Sequence, residues 1–396
     1  MNSKSAISTI LTGIILFLAS TGISYGLFKL ISRKSVSNPN TSKTVSVTPS
    51  GKPARRSKID PSLPLTESCP LNGMMLTKQD KAIWETRRPL AVMIENHEDS
   101  RPISGLASAD IVYEAVAEGG ITRYMGLFYC GSAADNVTLA PVRSARIYFV
   151  KLVSEYDALY NHVGGAGNCD DPTVNEKAKA LCFIRRNNIK DMDQFGRAGD
   201  FKTCHRLTNR LDHDVAYEHT MACYTDALYI AAEKYDWTNV DAKNIPWDKN
   251  FKEWKFKEDS AQKGTTANIK FDFWSSMSKY SVAWTYDTAT NSYLRQNGGE
   301  KSIDLNTGEQ LTAKNVIVQF VAESGPLDEH KHLDYGVTGT GKIILFQDGN
   351  ALSGTWSKAT PASRTKFMDA KGVELPLNRG VIWIELVPTG NTVEYN

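Results

Sequence analysis

The sequence predicts an α+β protein with an N-terminal anchor helix, a mixed α/β first domain and a mostly antiparallel β second domain. Three observations carry that expectation. No charge falls between Lys4 and Lys29, a length that spans a hydrocarbon core of roughly 30 Å. Segments of helical and of strand-like patterning alternate between Cys69 and about residue 240. From about Asp236 onward short alternating runs with turn residues take over, and seven of the eight tryptophans lie there. The expected organisation is 1–34 anchor or signal segment, 35–68 linker, 69–240 first domain and 260–392 second domain.

Composition sets the outer limits. The 396 residues are 41% hydrophobic and carry a formal charge of +2. The first value excludes a largely disordered chain, and the second gives no reason to expect nucleic acid as a partner. No repeat period stands out. An uncleaved membrane anchor is the first reading of residues 1–34 and a cleaved export signal the second. No cysteine adjoins the span, so no lipid-carrying cysteine is expected beside it. Lys29, Arg33 and Lys34 after the span would favour a cytoplasmic bulk. The six cysteines, even in number and confined to residues 69–223, favour an oxidising compartment. The expectation is therefore a single-pass cell-membrane protein with most of the chain extracytoplasmic. Cys169 with Cys182 is the expected disulfide; six reduced buried thiols are the alternative. Residues 35–66 are rich in Ser, Thr, Pro and Lys without apolar period, and read as a flexible tether.

In the first domain, Pro89 to Ile94 reads as a buried strand and Asn96 to Gly105 as a loop. Asp110 to Ala117 reads as a strand broken by Glu118-Gly119-Gly120, and Ile121 to Tyr129 as the returning strand. Gly131 to Ala140 is a turn. Pro141 opens a predicted helix of about five turns, with Ile147, Val150, Val153 and Leu159 on one face, ending before Gly164-Gly165. Cys169 to Asn209 reads as a long loop region with room for short helices, and Thr220 to Lys234 as a second helix. The second domain offers strands at 267–273, 281–286, 315–321 and 381–387. A hairpin around Asp348-Gly349 joins Lys342–Phe346 to Ala351–Trp356.

The chemically capable residues gather between Glu114 and Gly165. Arg143 and Arg146 are three apart at the start of the predicted helix and would share a face. Cations there oppose the helix dipole at roughly 0.3–1 kcal/mol each, so an anion or internal carboxylates must offset them. The internal candidates are Glu114, Glu118 and Asp110. Glu118 and Arg123 flank the paired glycines, and His162 stands in the last predicted turn. His219, beside Glu218, precedes the second helix, and His97 follows the first strand. His97, His162 and His219 with nearby carboxylates could form a metal site, but none of the three stands in an HxxxH or HxH spacing, so no metal is the first reading, and no cofactor motif appears. The predicted ligand contacts are Glu118, Arg123, Arg143, Ser144, Arg146, His162 and His219. The expected function is binding of an anionic envelope component: a glycan, a carboxylate or a lipid-linked phosphate. The tryptophans could add an aromatic wall for sugars or fill the core. The alternative is an envelope hydrolase or transferase with Glu118 or His162 as base and the three arginines stabilising negative charge.

PLAVMIEN, SGLASADIVYEAVAEGGITRYMGLFY, PVRSAR and HVGG, followed by LTAKNVIVQF, FQDGNALSGTW and GVIWIELVP, resemble the YerB-like family of bacterial envelope proteins. The resemblance covers about residues 69–390. It implies a two-part α+β protein exported across the membrane, whose founding members are lipoproteins of unknown function, and it supplies no reaction. Two departures stand out. The founding members' lipid-carrying cysteine is absent, and Ala140 replaces the glycine common before PVRSAR.

Overall fold

The computed structural model describes residues 59, 60, 62–196 and 198–396. The predicted anchor and almost all of the linker lie outside the described residues. Among the described residues no helix is long and apolar enough to cross a membrane. The fold is mixed α/β with strand outweighing helix.

In chain order the strands that position the site are β1 (Leu90–Glu95), β2 (Ile111–Glu118), β3 (Ile121–Phe128), β4 (Thr138–Leu139), β5 (Leu159–His162), β6 (Lys190–Asp193), β7 (Cys204–Arg206) and β8 (Met221–Tyr224). There follow β9 (Asn268–Phe271), β10 (Val282–Asp287), β11 (Ser292–Asn297), β12 (Asn315–Val321), β13 (Gly339–Gln347), β14 (Asn350–Lys358), β15 (Lys366–Met368), β16 (Ile382–Pro388) and β17 (Val393–Tyr395). The helices are α1 (Lys78–Trp84), α2 (Ile147–Val153), α3 (Ala180–Arg186) and α4 (Thr225–Glu233).

Ten strands form one sheet in the order β15-β14-β13-β12-β16-β2-β3-β1-β5-β6. Its seam joins the two halves of the sequence: β16 runs parallel to β2, with Ile382 opposite Ile111 and Glu385 opposite Glu114. Apolar side chains on both faces explain the unbroken burial of β1 and β16. A second sheet is built on β9, β10, β11 and β17. There the alternation of Val282, Trp284 and Tyr286 inward with Ala283, Thr285 and Asp287 partly exposed is the half-buried pattern read from sequence. The tryptophans mostly pack the interior rather than walling a sugar site. Trp284, Trp356 and Trp383 are among the largest fully buried side chains, and Trp247 and Trp254 are buried as well.

All six cysteines are paired, as Cys69–Cys130, Cys169–Cys182 and Cys204–Cys223. The expected pair is present. Cys204–Cys223 fastens β7 to β8 at directly opposed positions.

Two helix expectations need correction. The five-turn helix from Pro141 is only α2, because the backbone before it is used elsewhere. Val142 N–H donates to Met221 O, Arg143 N–H to Met93 O and Ala145 N–H to Gly164 O, which holds Pro141 to Arg146 extended. After α2 the chain turns through Asp157 at φ 42° and becomes β5, a parallel strand beside β1. Likewise the second helix begins at Thr225, since Met221–Tyr224 pairs with β7 and β4. The segment 169–209, expected to be a loop region with room for short helices, contains the short helix α3 and also the strands β6 and β7.

Candidate functional site

The β2–β3 hairpin places the first cluster. Gly119 and Gly120 turn it with φ of 59° and 82°, the left-handed region that glycine enters freely. Glu118 sits at the end of β2. Arg123 on β3 and Arg146, the residue before α2, both reach it. Arg123 Nη2 lies 3.3 Å from Glu118 Oε2, and Arg146 Nε pairs with Oε1. Arg123 Nη1 also donates to Ser144 O at 2.8 Å, and Arg146 Nη1 to Ala145 O at 2.7 Å. Burial alone would raise the Glu118 pKa, but the two guanidinium groups hold it at about 2. Burial and the adjacent Arg146 pull Arg123 below its ordinary value.

The second cluster surrounds Glu95 at the end of β1. Its two oxygens are divided: Oε1 lies 3.0 Å from Arg143 Nε, and Oε2 lies 2.7 Å from His219 Nδ1. The Arg143 contact lacks hydrogen-bond alignment, leaving Nε unsatisfied, while Nη1 donates to Glu218 O at 3.0 Å. His97 stacks on His219 with ring centroids 4.7 Å apart. Glu95 and Asp99 were not singled out from the sequence. The available signal was Glu95-Asn96-His97, a polar step at the end of an apolar strand.

The anticipated arginine pair therefore does not share a helix face. In an extended chain residues three apart point to opposite sides, and Arg143 and Arg146 serve different carboxylates. Only Arg146 stands near the α2 terminus, where Glu118 already neutralises it. Glu114 and Asp110, the other internal candidates, are engaged elsewhere. Glu114 pairs with Arg295, and Asp110 accepts from the N–H groups of Tyr129, Cys130 and Gly131.

His162 is drawn away from both clusters. It lies on β5, not at a helix end, with Nδ1 2.8 Å from Gly164 O and Nε2 2.9 Å from Asp191 Oδ1. Both ring nitrogens are thus occupied and the side chain is fully buried, so it offers no lone pair to a substrate. Ser144 is likewise committed, its hydroxyl donating to Val163 O at 2.9 Å. Burial would lower the His162 pKa, but the Asp191 hydrogen bond and the charges of Asp191 and Asp193 raise it above its ordinary value. A raised histidine pKa contributes stability that is complete below the unfolded value and lost as pH rises through the folded one. The stability gap between the protein and its His162→Gln variant is therefore expected to be widest near about pH 5.5 and to shrink toward about pH 9. Urea denaturation across that range checks this, and a gap independent of pH would contradict it.

Solvent reaches the clusters through Arg143, Glu118 and His97, whose side chains are each 26% exposed. One cavity of about 300 Å³ is lined by Asn96, Arg101, Tyr124, Asn297 and Ser302. Another of about 560 Å³ is lined by Lys270, Trp274, Ser275 and Glu394. The three arginines line neither.

Comparison with known proteins places the chain. Residues 73–233 match the family model described as the N-terminal domain of a protein of unknown function, DUF3048, and residues 269–384 match the corresponding C-terminal domain. The Bacillus subtilis (strain 168) protein named "Putative lipoprotein YerB" is 29% identical over 325 residues, spanning 81% of this chain and 86% of the relative. The crystal structure of YerB from Bacillus subtilis superposes with a TM-score of 0.65 at 26% identity, covering 83% of this chain and all of the other. With both halves matched in order and the fold shared, the chain belongs to the YerB-like family of DUF3048 proteins.

Proposed function

We propose that this protein works outside the cytoplasm, tethered by the apolar segment Ser5–Phe28, and binds an anionic envelope component through Arg143 with Arg123 and Arg146 behind it. Three disulfides suit an oxidising compartment, and the lipoprotein name of the relative is consistent with an envelope location. The observation that carries the binding reading is the charge count at the clusters. Three guanidinium groups share two carboxylates, Glu95 and Glu118, and the most exposed of them, Arg143, holds its carboxylate off-axis. A phosphate or carboxylate arriving at Arg143 would supply the charge-assisted hydrogen bonds that Glu95 leaves unmade. The catalytic alternative gains nothing from the arrangement: Glu118 stays ionised with two arginines on it, and His162 is sealed.

Polyglycerol phosphate titrated onto the full chain in detergent tests the reading. Saturable, salt-sensitive binding is expected, weakened about tenfold in Arg143→Ala, on the scale of one charged hydrogen bond of roughly 1.5 kcal/mol. Arg379→Ala, at a surface arginine paired with Glu258, serves as the control. Equal affinity of Arg143→Ala and the unmodified protein would sink the proposal.

A further inference from the structure

We infer that His97, His219 and Asp99 form a binding site for a divalent transition metal of the zinc type, with Glu95 as the carboxylate behind it. The three side chains come from two separate parts of the chain. His97 and Asp99 follow β1, and His219 lies just before β8. One donor atom from each lies within 4.8 Å of the other two. Three of the seven histidines gather here, because His213 Nε2 also lies 3.2 Å from Asp99 O.

Three features suit a metal better than a chance cluster. The first is orientation. Glu95 Oε2 holds His219 Nδ1 at 2.7 Å, which fixes the ring and leaves Nε2 as its free nitrogen. A carboxylate on the far nitrogen is the usual way a ligating imidazole is held and made more basic. The second is spacing. His97 Nδ1 and Asp99 Oδ2 are 3.6 Å apart. Neighbouring ligands of a tetrahedral ion with bonds of ~2.1 Å are separated by ~3.4 Å. The third is asymmetry of freedom. His219 is 7% exposed and anchored, whereas His97 and Asp99 are 26% and 66% exposed, and His97 Nδ1 would give up a long 3.3 Å hydrogen bond from Asp99 N–H on taking a metal.

Two imidazoles and a carboxylate are borderline donors suited to zinc, and they leave a fourth position open. The sequence conceals the set because 122 residues separate His97 from His219, so the two form no short histidine spacing. On loading, the His97–His219 stack must open by rotation of His97, so that both lone pairs converge. Arg143 shares Glu95 with His219, so an anion at Arg143 and a metal at His219 would lie on opposite oxygens of one carboxylate. The metal site does not depend on the anion reading, since its donors include none of the arginines.

The test uses Zn²⁺ alone, added to chelator-stripped full chain in detergent, with no anionic ligand present. Equilibrium dialysis is expected to give about one equivalent per chain and isothermal titration a saturable curve. His97→Ala, at a partly exposed histidine, and Asp99→Asn, at an exposed carboxylate, are each expected to weaken binding tenfold or more. Glu95→Gln is expected to weaken it about 10–100-fold through the outer shell. Co²⁺ is expected to give the visible absorption of a tetrahedral nitrogen–oxygen site, lost in His97→Ala. His205→Ala, at a histidine stacked on Tyr224, is expected to bind as the unmodified protein does. Absence of saturable Zn²⁺ uptake by the unmodified chain, or undiminished binding by His97→Ala, would overturn the inference.

Discussion

An Arg295→Ala variant is expected to lose about 3–5 kcal/mol of unfolding free energy, while Glu385→Gln loses about 1 kcal/mol or less. The difference follows from how charge is arranged at the seam of the large sheet. Arg295 on β11 pairs with Glu114 on β2, and both side chains are wholly inaccessible to solvent. Aromatic rings complete the arginine's surroundings: its guanidinium carbon lies 5.0 Å from the Trp383 ring centroid, 5.5 Å from Tyr124 and 5.6 Å from Trp284. Removing the cation leaves Glu114 charged and buried, with the neutral donors Thr122 and Asn96 on its other oxygen. Glu385, directly opposite Glu114 on β16, is the third member. Burial, and then the charge of Glu114, push its carboxyl well above the ordinary value. Burial thus favours its neutral form, and a neutral amide of the same shape preserves the contact with Trp284 Nε1, now at 3.1 Å. Denaturant titration of both variants decides the matter. Glu385→Gln as damaging as Arg295→Ala would mean that Glu385 is ionised and the charge assignment is wrong.

Replacing Cys69 and Cys130 together by serine is expected to cost about 4 kcal/mol, as loop-closure entropy is returned to the unfolded chain. The two cysteines are 61 residues apart, against 13 for Cys169–Cys182 and 19 for Cys204–Cys223. The same argument gives about 3 kcal/mol for each shorter loop. The long link matters for architecture as well. It ties the segment before α1 to the end of β3, and Cys69 and Cys130 are almost fully buried. Urea denaturation of the oxidised protein against the double-serine variants measures the order. A Cys69/Cys130 variant within about 1 kcal/mol of the parent would show that the unfolded chain retains the contact without the bond.

Much of the strand content was legible because period-two alternation and Gly-rich turns are local properties. The Asp348-Gly349 hairpin, the Glu118-Gly119-Gly120 turn and the alternating β10 all lie where the pattern places them. The family resemblance was legible too, because its motifs are contiguous. The site was legible only in part. Arg123 and Arg146 do meet Glu118, a pairing available to reasoning about neighbouring residues. The helix that was to hold Arg143 and Arg146 together was misread. Leu159 to His162 is buried on both faces of a parallel strand, and there apolar spacing does not separate strand from helix.

The sequence by itself pointed to many of the strands, to an oxidising compartment through its six cysteines, to the Cys169–Cys182 pair as an expectation and to the family. Only the tertiary structure decided the partners: Glu95 for Arg143 and His219, Asp191 for His162, and Arg295 for Glu114. The physical reason is separation along the chain. Glu114 and Arg295 stand 181 residues apart, and His219 and Glu95 124. Such pairs leave no periodic trace, because they are set by which strands become neighbours in the sheet.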